Sequence, residues 1–176
     1  SSINVSSVGT YTVTQSVNGC SSSPATGDAA PKEIPSAPTV SVVNNCESSI
    51  LSASDFTGLL LWNNGVTSSS ISVSAAGAYF VTQTINGCIS TEGSGIADPK
   101  TTPAAPIVIV ANNCGSSVLT APGITGSLLW STGETTESIT VTTGGTYTVT
   151  QTVGGCASAG GNGIATPILI PPAPIV

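Results

Sequence analysis

Between positions 146 and 153 the side chains alternate: Tyr147, Val149, Gln151 and Val153 fall on one face of an extended chain, and Thr146, Thr148, Thr150 and Thr152 on the other. Side chains of a strand alternate with a period of two, so this run predicts a strand with one buried and one wet face. A helical period would scatter the same residues around its axis. The alternation recurs over 78–85, with Tyr79, Val81, Gln83 and Ile85 facing inward. Shorter β-rich runs predict strands over 38–43, 49–53, 58–62 and 70–73; Leu60 and Trp62 share a face, as do Ile71 and Val73. Asn63-Asn64-Gly65 and Ala75-Ala76-Gly77 turn the chain between runs. Asn86-Gly87 recurs as Asn18-Gly19 and is replaced by Gly154-Gly155; all three dipeptides accept the positive φ values of a two-residue hairpin. Six or seven such strands with no crossover helix predict an all-β sandwich of two sheets, with a small barrel as the competing fold.

The pattern is periodic. Tyr11, Tyr79 and Tyr147 are 68 residues apart, and so are Cys20, Cys88 and Cys156, Cys46 and Cys114, and Trp62 and Trp130. Pro31, Pro35 and Pro38 return as Pro99, Pro103 and Pro106, then as Pro167, Pro171 and Pro174. Placing the boundary in this Pro-rich segment divides the chain into the C-terminal half of a repeat (1–36), complete repeats over 37–104 and 105–172, and the start of another (173–176). The linkers 97–106 and 165–174 are expected to be short, extended and semi-rigid, because proline fixes φ and keeps the preceding residue out of a helix. The half-repeat lacks its Trp strand, and joining identical chains head to tail supplies 40 of the 68 residues. The expectation is therefore an excerpt of a longer repeat protein, with completion by another polypeptide as the alternative.

Composition narrows the function classes. Two lysines stand against eight acidic residues in 176, with no His and no Met, for a net charge of −6. That charge opposes nucleic-acid phosphates and anionic lipid, so no nucleic acid is expected as a partner. Mean hydropathy is positive, yet no uninterrupted apolar stretch approaches the roughly 18 residues of a membrane span, and prolines break 168–176; no membrane insertion is expected. No secretory signal is visible, which is uninformative in a chain that starts within a repeat. No acidic position recurs: Asp55 becomes Gly123, Glu47 becomes Gly115, Glu134 replaces Val66, and Asp98 replaces Ala30 and becomes Thr166. A carboxylate cage for calcium in every repeat is thereby unexpected, and zinc lacks both His and short Cys pairs. General acid–base chemistry, an activated serine and a phosphate loop all lack their residues. No cofactor, metal or catalytic activity is expected.

Trp62, Trp130, Tyr79 and Tyr147 are read as core anchors, since each lies in register with inward apolar residues. The alternative places them on an exposed face as sugar-stacking platforms. Burying an indole removes on the order of 150–250 Å² from water, roughly 4–6 kcal/mol before entropy is counted. Gln15, Gln83 and Gln151 share the inward register, and are expected at the sandwich rim with their amides bonded to backbone. Repeated cysteines in a small β unit indicate a disulfide framework and an oxidising compartment. Pairing within a repeat gives Cys46–Cys88 and Cys114–Cys156 and leaves Cys20 unpaired. The rival register, Cys20–Cys46 and Cys88–Cys114, crosses the linkers and leaves Cys156. Loop closure favours neither, at about 3.5–4 kcal/mol each; pairing within the repeat is the preferred expectation.

Leu129-Trp130-Ser131-Thr132-Gly133-Glu134, Ser138-Ile139-Thr140-Val141, Gly145-Thr146-Tyr147-Thr148-Val149 and Gly155-Cys156 together resemble the immunoglobulin-like and polycystic-kidney-disease-type repeats of very large surface proteins in gliding and related Bacteroidota. The resemblance implies an exported, type IX-secreted, extracellular adhesin or filament at the cell surface, in which tandem repeats form a stalk. Its partners would be neighbouring repeats of the same chain and laterally associated copies. Carbohydrate-binding modules with a surface glycan as partner, or the spacer of a secreted hydrolase, are the alternatives. Antibody-type domains differ: Tyr79 precedes Cys88 by nine residues, where the tyrosine corner stands two before its cysteine. That spacing puts the disulfide near a sheet end, away from Trp.

Overall fold

The alternating runs form strands throughout the computed structural model, which describes residues 2–175; Ser1 and Val176, at the outer ends of the 1–36 and 173–176 segments, lie outside the described residues. No helix occurs among the described residues. The half-repeat carries β1 (Gly9–Val13), β2 (Ser16–Val17), β3 (Cys20–Ser21) and β4 (Ala25–Ala29). The second repeat carries β5 (Thr39–Asn44), β6 (Ser49–Ser54), β7 (Leu59–Trp62), β8 (Ser70–Val73), β9 (Gly77–Ile85), β10 (Cys88–Ile89) and β11 (Gly93–Ala97). The third repeats that series as β12 (Ile109–Asn113), β13 (Ser116–Thr120), β14 (Ser127–Trp130), β15 (Ser138–Val141), β16 (Gly145–Val153), β17 (Cys156–Ala157) and β18 (Gly161–Ala165). Two compact units divide the chain, Ser1–Val40 with Ala53–Ser69 and Phe80–Ser94, and Ser41–Ser52 with Ser70–Tyr79 and Gly95–Val176. The second repeat contributes to both.

The third repeat lies wholly in the second unit. One of its sheets has the order β12-β13-β15; the other has β14-β16-β17, with β18 on the far side of β16. Leu119 stands opposite Ile139 in the first sheet, and Trp130 opposite Val149 in the second. Leu119 and Ile139 meet Leu128, Trp130, Val149 and Ala165 in one buried cluster, edged by Val108, Val110, Ile124, Val141 and Tyr147. The inward residues of two sheets with no common strand thus share a single core, which is the sandwich and excludes the barrel.

In the second repeat the strand orders are β5-β6-β8 and β10-β9-β11, with β7 on β9. Leu51 pairs with Ile71 and Trp62 with Val81, and all four are buried. In the half-repeat β1 pairs with β4, and β2 with β3 around Asn18-Gly19. Val13 there is 67% exposed, whereas its counterparts Val81 and Val149 are both 0% exposed.

β11 and β18 depart from the sequence expectation, which began the linkers at Ala97 and Ala165. Both alanines end a strand and are buried. Gly-rich runs carry no β propensity, but glycine is needed here for close approach. A Cβ at Gly161 would collide with the Pro106 carbonyl, and one at Gly163 would press on Val108, Val110 and Leu119.

Candidate functional site at the repeat junction

The segment between the second and third repeats is fastened along its length. Asn44, the last residue of β5, accepts hydrogen bonds through Oδ1 from Asp98 N at 3.1 Å and from the fully buried Ser49 Oγ at 2.6 Å. Beyond it, Lys100 N donates to Asn45 O at 2.9 Å, and Glu47 N donates to Lys100 O at 2.8 Å, making a parallel bridge between Cys46 and Lys100. Glu47 has φ 62° in this turn, as Gly115 has 73° at the matching position. That left-handed residue follows Cys46 directly, and the Glu47 Oε1 accepts the Thr102 N–H at 2.6 Å. The bond from Thr102 holds the Glu47 carboxyl below its ordinary value. Farther on, Gln151 Nε2 donates to Ala104 O at 2.7 Å. The first repeat of the pair therefore grips the segment at 98, 100 and 102, and the next grips it at 104.

A disulfide closes the junction. Cys46 is bonded to Cys156, with Cα atoms 5.6 Å apart and 110 residues between them in sequence. Cys46, Cys88, Cys114 and Cys156 were expected to pair within repeats; instead one bond joins the turn of the second repeat to the terminal hairpin of the third, and Cys20, Cys88 and Cys114 are free. The rival register is not formed either. The physical reason is the fastened segment: it follows Cys46 in a parallel bridge and is held by Gln151, whose strand runs into the Gly154-Gly155 turn before Cys156.

Trp62 is 1% and Trp130 2% exposed. Their indole N–H groups donate to Ser68 O at 2.9 Å and Thr136 O at 2.8 Å. Neither ring offers a face to a sugar, which sets aside the platform reading at these two positions. Tyr79 and Tyr147 are half-buried, and Tyr147 packs at the edge of the third repeat's core. Their hydroxyls donate to Ala75 O and Thr143 O, four residues upstream, at 3.3 and 3.0 Å; Tyr11 does the same to Ser7 O at 3.0 Å. Each ties the start of a long strand to the turn before it, which is the bond of a tyrosine corner despite the nine-residue spacing to cysteine.

The glutamine amides bond to backbone as expected, but Gln83 and Gln151 are buried rather than set at a rim. Gln83 is buried; Oε1 accepts from Thr57 N at 3.0 Å and Gly58 N at 3.1 Å, and Nε2 donates to Ser36 O at 2.8 Å. Gln151 keeps the Nε2 bond, to Ala104, but its buried Oε1 has no partner. Gln15, in the half-repeat, is exposed. The sequence did signal this machinery. Asn44-Asn45-Cys46 and Asn112-Asn113-Cys114 are a period apart, as are Ser49 and Ser117, and Lys32 and Lys100. Recurrent polar positions at the ends of strands and in the turns between them mark what the linker binds.

In the first unit a cleft of about 680 Å³ lies among Lys32–Ser36 and Ile85–Asn86, and Lys32 Nζ donates to Asn86 O at 2.7 Å. No cluster of three or more His, Cys, Asp or Glu side chains occurs among the described residues.

No family model and no curated protein matches the chain. Among solved structures, murine CEACAM1b is similar at 11% identity over 76% of this chain and 100% of its own, with a TM-score of 0.37. The chicken interferon gamma receptor alpha chain is similar at 10% identity over 77% and 100%, with a TM-score of 0.35. A segment of two fibronectin type-III domains from chicken tenascin is similar at 12% identity over 72% and 97%, with a TM-score of 0.30. What identifies the third repeat as an all-β sandwich is its own pair of sheets around one core.

Proposed function

We propose that the chain is a non-catalytic stalk segment of an exported cell-surface adhesin or filament, whose tandem β repeats hold a working end away from the surface. The observation that carries this is the junction: a proline-bearing connector bonded at Asp98, Lys100, Thr102 and Ala104, with a disulfide across it. A connector left to swivel needs none of these bonds, whereas a strut needs them all. The disulfide favours an oxidising compartment, outside the cytosol. A repeat period with no recurrent carboxylate and no His supplies length rather than chemistry. Neighbouring repeats are the primary partners; lateral copies and a surface glycan belong to other parts of the surface than the two tryptophans.

The test is backbone ¹⁵N relaxation. The amides of 98–104 are expected to share the order parameters of β13 and β16, near 0.85 for rigid backbone, in the oxidised chain. Values below about 0.6 across that segment describe a free hinge and refute the strut.

A further inference from the structure

The cysteines fall into two kinds. Cys46 and Cys114 follow Asn-Asn in the turn after the first strand of a repeat; Cys20, Cys88 and Cys156 follow the terminal hairpin turn. The one bond formed joins a cysteine of the first kind to one of the second kind in the next repeat. Resting on the stalk reading above, we propose that this bond is a repeating staple: Cys88 and Cys114 are each half of one, and each takes its partner from a further copy of the 68-residue repeat.

The surroundings of both free cysteines reproduce those of the bonded pair. At Cys114, Gly115 N donates to Ile168 O at 2.8 Å and Ile168 N to Asn113 O at 2.9 Å, the same parallel bridge that sets Cys46 against Lys100. Asn112 Oδ1 receives Ser117 Oγ at 2.6 Å and Thr166 N at 3.0 Å, as Asn44 receives Ser49 and Asp98. The outgoing segment is thus laid beside an exposed Cys114 just as it is laid beside Cys46. At Cys88 the match is on the incoming side. Gln83 Nε2 holds Ser36 O as Gln151 Nε2 holds Ala104 O, each across 47 residues. Lys32 Nζ reaches Asn86 O beside this hairpin, and Lys32 is the counterpart of Lys100, whose backbone flanks the bonded Cys46. Cys114 would take a hairpin cysteine from the following repeat, and Cys88 a turn cysteine from the preceding one. Two S–H bonds break and one S–S bond forms; the two electrons and two protons pass to a small-molecule disulfide, which leaves as two thiols.

The test compares the 176-residue chain with one lengthened by a further copy of 105–172 inserted after Pro172. Both are equilibrated with oxidised and reduced glutathione, alkylated, and mapped by mass spectrometry. The parent chain is expected to show Cys46–Cys156 with Cys20, Cys88 and Cys114 alkylated. The lengthened chain is expected to gain a second bridge, from Cys114 to the inserted counterpart of Cys156, with the alkylated count unchanged. Cys114→Ser in that chain should leave the inserted hairpin cysteine alkylated. If Cys46–Cys156 forms but Cys114 stays alkylated, or pairs with glutathione or within its own repeat, the repeating staple is overturned and the single junction stands. If Cys46–Cys156 is missing from both chains, the disulfide argument for the stalk falls with it.

Discussion

Gln83 and Gln151 occupy the same position of two repeats, yet the same substitution should affect them differently. Methionine nearly matches glutamine in shape and removes the amide. At position 83 the change abolishes three hydrogen bonds and leaves Thr57 N, Gly58 N and Ser36 O without their partner. Thr57 and Ser36 are exposed residues that recover water, so each bond is taken at its net worth of about 1 kcal/mol, a loss of about 2–3 kcal/mol. At position 151 the change removes one bond, to the exposed Ala104. It also removes a buried carbonyl oxygen with no partner, a group that costs about 1–3 kcal/mol. Gln151→Met should therefore lie between neutral and about 2 kcal/mol stabilising. Urea unfolding of the two variants and the parent, under non-reducing conditions, reads the difference. Equal destabilisation by both would refute the reasoning, because amide bonding would then not be what distinguishes the sites.

Trp130→Ala should cost about 3–5 kcal/mol, because removing a 2% exposed indole leaves a cavity in the core between two sheets. A urea midpoint shift worth under about 1 kcal/mol would place the ring outside the core. Glu47 predicts an acid-sensitive fastening. Its folded-state pKa lies below its ordinary value of 4.5 because of Thr102. The contribution is thus fully present above that value and is lost as pH falls through the lower, folded one. Protection of the Thr102 amide against hydrogen exchange, corrected for the intrinsic rate, should hold above about pH 4.5 and drop as pH falls below it, and Glu47→Gln should abolish that dependence. Unchanged protection in the parent would remove Glu47 from the clamp.

The strands that carry a residue-level alternation were legible: β9 and β16, the Trp strands β7 and β14, and the hairpin turns at Asn86-Gly87 and Gly154-Gly155 all follow from a period of two and from positive φ. β11 and β18 were not, since their glycines answer to the approach of Pro38 and Pro106, which no local propensity encodes. Disulfide pairing was hidden for a different reason. A strict period maps every turn–hairpin pairing onto an equivalent one, so 46–88, 88–114 and 46–156 satisfy the repeat equally. Loop entropy separates them little, at about 4.8 kcal/mol for the long loop against about 3.5–4 for the short ones. The deciding information is three-dimensional: where the connector runs after Cys46, and which hairpin Gln151 brings to it.

Because Cys46 is covalently joined to Cys156, tension applied along the chain enters at one sulfur and leaves at the other. The intervening polypeptide is bypassed by the load. Extended at about 3.3–3.6 Å per residue, it represents roughly 370 Å of hidden contour length, released only when a reductant opens the bond.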